Sequence, residues 1–128
     1  MKVMTPVILA LILFIIFAWW AQWTLKNNAE SMAKDIDKLE AAIKDDNWDM
    51  ASNILEDMHK EWKNVKNKWQ MLINHQEIDN IESTLAKVES YVKAKENGKE
   101  DALAEIATLK LFLLHIPDKE ALRITNIL

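Results

Sequence analysis

WDMASNILEDMHKEWKNVKNKWQML, residues 48–72, places Trp48, Ala51, Leu55, Met58, Trp62, Val65, Trp69 and Leu72 at alternating spacings of three and four. That is the pattern of a helix burying one continuous seam. Three of the chain's six tryptophans lie on it. A repeated indole is too wide for the core of a two-stranded coiled coil, so the spacing predicts the inner face of a bundle of three or more helices. A tryptophan stripe can also line a ligand pocket, but at helical spacing a packed core is the expected outcome. Asp46 reads as the cap of this helix and Asp49 lies in its first turn, while Lys60, Lys63, Lys66 and Lys68 follow in its second half, an order that suits the helix dipole.

Upstream, Leu25, Ala29, Met32, Ile36, Leu39 and Ile43 recur at spacings of four and three, and Asp45, Asp46 and Asn47 supply a corner. The pattern crosses Asn27 and Asn28 without a break. Two arrangements stay open there: one rod of about forty residues, roughly 60 Å long, or a flexible joint at the asparagine pair. Downstream, Ile78, Ile81, Leu85, Val88 and Val92 are two residues out of phase with the seam, which predicts a corner after Leu72. Asn74 to Glu77 has the form of a capping box for a helix folding back, and Gly98 reads as the left-handed residue that closes it. The next helix is apolar almost all round near Leu109, Leu111, Phe112, Leu113 and Leu114, so it is either central or covered by a partner. Pro117 is expected to stop it, and Asp118 to cap a short last helix before the apolar pair Ile127 and Leu128.

One glycine, two prolines and few β-branched runs leave little turn chemistry for a sheet. The expected class is all-α: a transmembrane anchor over residues 1–25, then a domain over 26–128, an antiparallel bundle of about four helices with a short C-terminal helix. The helices are expected at about 28–44, 47–73, 75–96, 99–116 and 118–126. With no cysteine, disulfides, thiolate metal sites and cysteine nucleophiles are excluded. Twenty acidic against fifteen basic residues follow the apolar N-terminal block, a net charge of −5 that leaves no basic stripe for phosphates. Nucleic-acid binding is not expected.

Residues 3–23, VMTPVILALILFIIFAWWAQW, carry no charge and would span about 31 Å as a helix. Trp19, Trp20 and Trp23 cluster at the end of this stretch, where the headgroup layer suits an indole. A cleaved signal peptide is the competing reading, but no small-x-small cleavage pattern is present, so an uncleaved anchor crossing the lipid bilayer is expected. The lysine count mildly favours the following flank as cytoplasmic. A span so near the N-terminus nevertheless acts more often as a signal anchor, which predicts a single-pass cell-membrane protein with its C-terminal domain extracytoplasmic.

Asn47-Trp48, the pair Trp62 and Trp69, the run LINHQEIDNI over residues 72–81 and the run HIPDKEALRITNIL over residues 115–128 follow this apolar span. In that combination the chain resembles a bacterial family, domain of unknown function 4363, over roughly residues 30–128. The resemblance implies a small, single-span helical protein of spore-forming Gram-positive bacteria, and it implies no activity. It also implies a partner, since genes of such proteins neighbour those of a multi-pass membrane protein family similar to YetF.

His75 and Asp79 lie four apart on one helix face, and antiparallel packing could bring His115 to them, which makes these three the only metal candidates. The plainer expectation is that His75 serves a corner, His115 a helix end, and His59 faces solvent. No Gly-rich phosphate loop, nucleophile elbow or HExxH is present, so neither an enzyme nor a cofactor is expected. Two functions remain. The first is an interaction module, an accessory subunit docking on a membrane protein or on a second copy of itself through Leu111, Phe112, Leu114, Ile127 and Leu128. The second is an extracytoplasmic sensor or small-ligand binder with a tryptophan-lined cavity.

Overall fold

The periodicity that crosses Asn27 and Asn28 belongs to one helix. In the computed structural model, which describes the backbone of residues 2–127 and the side chains of residues 2–117, α1 runs unbroken over Met4–Lys44. It is followed by α2 (Trp48–Trp69), α3 (His75–Lys93), a 3-10 turn (Lys95–Gly98) and α4 (Lys99–Ile127). No strand occurs among the described residues. The chain is all-α, a long apolar N-terminal helix continuing into a bundle. The rod and the joint were equal on sequence; the rod is what forms, about 61 Å long at 1.5 Å per residue.

The second half of α1 and the other three helices pack as a ring, each touching its neighbours in the order α1, α2, α3, α4 and back to α1. Polar contacts fix the directions. Ser31 Oγ donates to Glu61 Oε1 at 2.9 Å between α1 and α2. Lys66 pairs with Glu82, and His59 with Glu89, between α2 and α3. Lys99 reaches Asp46 at 2.8 Å and Lys110 reaches Asp37 at 2.7 Å, so α4 runs back along α1. Every adjacent pair is antiparallel.

The core is the sum of the four apolar stripes. Ala51, Leu55, Met58, Trp62, Val65 and Trp69 of α2 are all buried, against Leu25, Met32, Ile36, Leu39 and Ile43 of α1, Ile78, Ile81, Leu85, Val88 and Val92 of α3, and Ile106, Leu109 and Leu113 of α4. Each large aliphatic side chain so buried contributes about 1.5–3 kcal/mol relative to exposure, before the opposing conformational entropy. The seam frays at both ends: Trp48 and Leu72 are half-buried, because α2 stops at Trp69 and Leu72 lies in the turn that follows.

The corners differ from the sequence expectation in three places. Asn47, not Asp46, caps α2: its side chain accepts from the Met50 N–H at 3.2 Å, while Asp46 takes the left-handed conformation at φ 58°. Asn74 caps α3 as expected, accepting from the Gln76 N–H at 2.9 Å. Gly98 does not close α3. That task falls to Lys95 at φ 55°, and Gly98 is required for another reason, since a Cβ there would collide with the Tyr91 carbonyl. Nor does Pro117 end a helix. α4 passes through it to Ile127 as one element, so no separate helix begins at Asp118 and His115 lies inside α4 rather than at an end. Pro117 is itself buried, and its carbonyl accepts from Gln22 Nε2 of α1 at 2.9 Å. The burial of Leu113, Ile116 and Pro117, together with the Gln22 bond, holds a helix that local preference would interrupt.

Candidate functional site

α1 has two environments on one continuous backbone. From Val3 to Phe17 every residue is exposed, and only 6% of its most apolar window is buried, although the helix is long and apolar enough to cross a membrane. From Ala21 onward the same helix supplies core residues. At the junction Trp19, Trp20 and Trp23 point outward, Trp19 being 78% exposed, while Ala21, Thr24 and Leu25 face the bundle. An outward cluster of indoles, the collar, thus occupies one side of the helix just where it enters the bundle.

The seam of α2 is closed. Trp62 and Trp69 meet edge to face with ring centroids 5.8 Å apart, at 87°, and both are buried. Such a pair adds about 0.5–1.5 kcal/mol beyond area burial. Trp62 Nε1 donates to Glu82 Oε1 at 3.4 Å, whereas Trp69 Nε1 is buried with no partner. The Lys66 ammonium on Glu82 holds that carboxyl below the usual range. The two indoles are therefore occupied by each other and by the core.

On α4, Leu111 is 69% exposed and Leu114 is also exposed, with Ala104 and Ala107 continuing the same stripe at helical spacing. Phe112 belongs elsewhere: it packs half-buried against the core. Between α1 and α4 a cleft of about 190 Å³ is lined by Lys26, Ala29, Glu30, Leu114 and Pro117. Leu128 and the side chain of Ile127 lie outside the described residues.

The polar candidates are dispersed. His75 and Asp79 are exposed on α3 and His115 is exposed on α4. Among the described residues no group of three or more His, Asp or Glu side chains is placed to hold a metal ion. His59 is not simply solvated. Its Nε2 lies 2.9 Å from Glu89 Oε2, an ion-pair distance without the alignment of a hydrogen bond, in a cleft of about 280 Å³ lined also by Ser52, Leu55, Glu56, Val92 and Lys93. Lys93 first, and His59 after it, hold the Glu89 carboxyl below its ordinary range. His59 and Glu89 each lie seven residues from Lys66 and Glu82, the other bridge between the same two helices. On the α1 side, burial and then the neighbouring Asp35 carboxyl push Glu61 above the usual range, opposed by the Ser31 hydroxyl.

No curated protein and no solved structure matches the chain. One family description matches, "Domain of unknown function (DUF4363)", over residues 19–127. That match begins at the indole collar and takes in the whole bundle, so the chain belongs to the DUF4363 family.

Proposed function

We propose that the protein is a single-pass, membrane-anchored helical interaction module without catalytic activity, an accessory subunit that holds its bundle on the extracytoplasmic side and docks on a membrane protein. The observation that carries this reading is the continuity of α1, whose exposed apolar half and core-forming half are one helix. A core helix of a soluble protein would bury its most apolar window; here 6% of it is buried. A cleaved signal would have to be cut from a helix whose next residues, from Ala21, the bundle already holds. The exposed Leu111 and Leu114 beside the α1–α4 cleft supply the docking face. A multi-pass protein of a YetF-like family, or a second copy of the chain, is the proposed partner.

The test is co-purification from membranes in mild detergent, run in parallel with the chain as it stands and with the Leu111→Asp, Leu114→Asp double variant, with topology reporters on the C-terminus. A membrane protein recovered reproducibly with the first and lost with the second supports the reading. A monomer in both, or a C-terminus reported in the cytoplasm, removes the corresponding part of it. The edge-to-face packing of Trp62 and Trp69 does not favour a cavity between these two indoles, as the ligand-sensing alternative would need.

A further inference from the structure

We propose that the turn joining α2 to α3, residues 70–74, rests in the headgroup layer of the bilayer that α1 crosses, so that the bundle is seated on lipid rather than held clear of it. This rests on the reading of α1 as a membrane span. The helices themselves serve as rulers. Ser31 of α1 meets Glu61 of α2 at 2.9 Å, and the two helices run in opposite directions from the corner at residues 45–47. Eight residues beyond Glu61 is Trp69, and eight residues before Ser31 is Trp23; each step covers about 12 Å. The end of α2 is therefore level with Trp23, and the turn that follows is level with the indole collar. On another side of α1, Gln22 Nε2 meets the Pro117 carbonyl at 2.9 Å, so α4 also reaches this level.

What the turn presents at that level is one apolar side chain, Met71, between the exposed Gln70 and Asn74. Ile73 is buried and Leu72 half-buried against the core, whereas Met71 projects outward, 78% exposed. A flexible, polarisable thioether near the level of Trp23 matches the mixed surface between headgroups and acyl chains, where indoles also partition. Lys26 of α1 and Lys68 of α2 are exposed near the same level and offer positive charge to anionic headgroups. The opposite end of the bundle carries its own exposed methionine, Met50, 53% exposed, about 30 Å away along α2. It is an internal reference for a side chain of the same type facing water.

The chain has no cysteine, so Met71→Cys, Met50→Cys and Ile12→Cys each give a single labelling site in the full-length protein. Each is labelled with an environment-sensitive fluorophore and reconstituted in vesicles of phosphatidylcholine and phosphatidylglycerol carrying a nitroxide either on the headgroup or deep in the acyl chain. The expected result is headgroup-nitroxide quenching at the Met71→Cys site severalfold stronger than at the Met50→Cys site, with the Ile12→Cys site quenched by the deep nitroxide. If the Ile12→Cys site is quenched and the Met71→Cys site matches Met50→Cys, the span stands and the seated turn is wrong. If the Ile12→Cys site escapes both quenchers, the span itself fails and this inference goes with it. Self-quenching between labelled copies at Met71→Cys, independent of the lipid nitroxide, would assign the turn to a second copy of the chain and overturn the lipid contact.

Discussion

Trp19, Trp20 and Trp23 on α1 and Trp62 and Trp69 on α2 are the same side chain in opposite settings. The first three face outward from a single helix; the second two are buried edge to face. Spacing along the chain separates them. Trp62 and Trp69 are seven apart and return to one side of their helix, where neighbours at three and four residues are also apolar. Trp19, Trp20 and Trp23 follow an apolar run with no polar face, and the bundle takes the small residue Ala21 and Thr24 and Leu25 instead. An indole is placed by the pattern it belongs to, and its bulk alone says little.

The strongest way to break this contrast is Trp69→Ala, expected to cost about 3–5 kcal/mol of bundle stability through the cavity it leaves. Urea unfolding of the full chain in detergent measures it, and a loss under about 1 kcal/mol would mean that the seam is not the core. Trp62→Phe keeps a ring against Trp69 but removes the donor to Glu82, so a loss of about 1 kcal/mol is expected on the same assay.

Smaller effects should appear with pH, and with opposite signs. The Glu82 carboxyl, lowered by Lys66, contributes stability that is complete above the unfolded value of about 4.3 and is lost as pH falls through the lower folded value. For so exposed a pair the contribution is at most about 1 kcal/mol. Glu61, raised by burial and by Asp35, works the other way. Its ionisation penalises the fold progressively as pH rises from the unfolded value through the raised folded one, and Glu61→Gln should remove that penalty at neutral pH, a gain of a few tenths of a kcal/mol after solvent screening. Melting curves of Glu82→Gln and Glu61→Gln beside the parent across acid and neutral pH would show the two slopes. Smallest of all is Trp19→Ala: bundle stability should stay within about 0.5 kcal/mol of the parent, and a larger loss would mean that the collar is part of the core.

The helical stripes were legible because each is a periodic average over many residues. The seam of α2, the phase shift past Leu72 and the Asn74 cap all read directly from spacing. What escaped was set by single contacts between distant parts of the chain. Gly98 looks like a left-handed closure, yet its role is to let the backbone approach Tyr91, and Lys95 takes the strained conformation instead. Pro117 is a helix breaker by local rules, but it lies against α1 with its carbonyl bonded to Gln22, ninety-five residues away in sequence. His59 was read as solvated because its partner, Glu89, is on another helix. The exposed apolar stripe of α4 was legible only in part, since apolar residues on α4 divide between core and exterior, and it is the position of α1 and α3 that sends Phe112 inward and leaves Leu111 out.

The unbroken α1 has a mechanical consequence. A helix advances 100° and 1.5 Å per residue, so whatever turns or lifts residues 4–17 turns or lifts the bundle by the same amount, with no slack between them. One alanine inserted between Phe17 and Ala18 would leave every bundle contact from Ala21 onward in place while rotating the apolar segment about the shaft by roughly 100°. The azimuth at which Leu111 and Leu114 face outward is thereby keyed to the azimuth of the N-terminal segment, and the two cannot be adjusted separately.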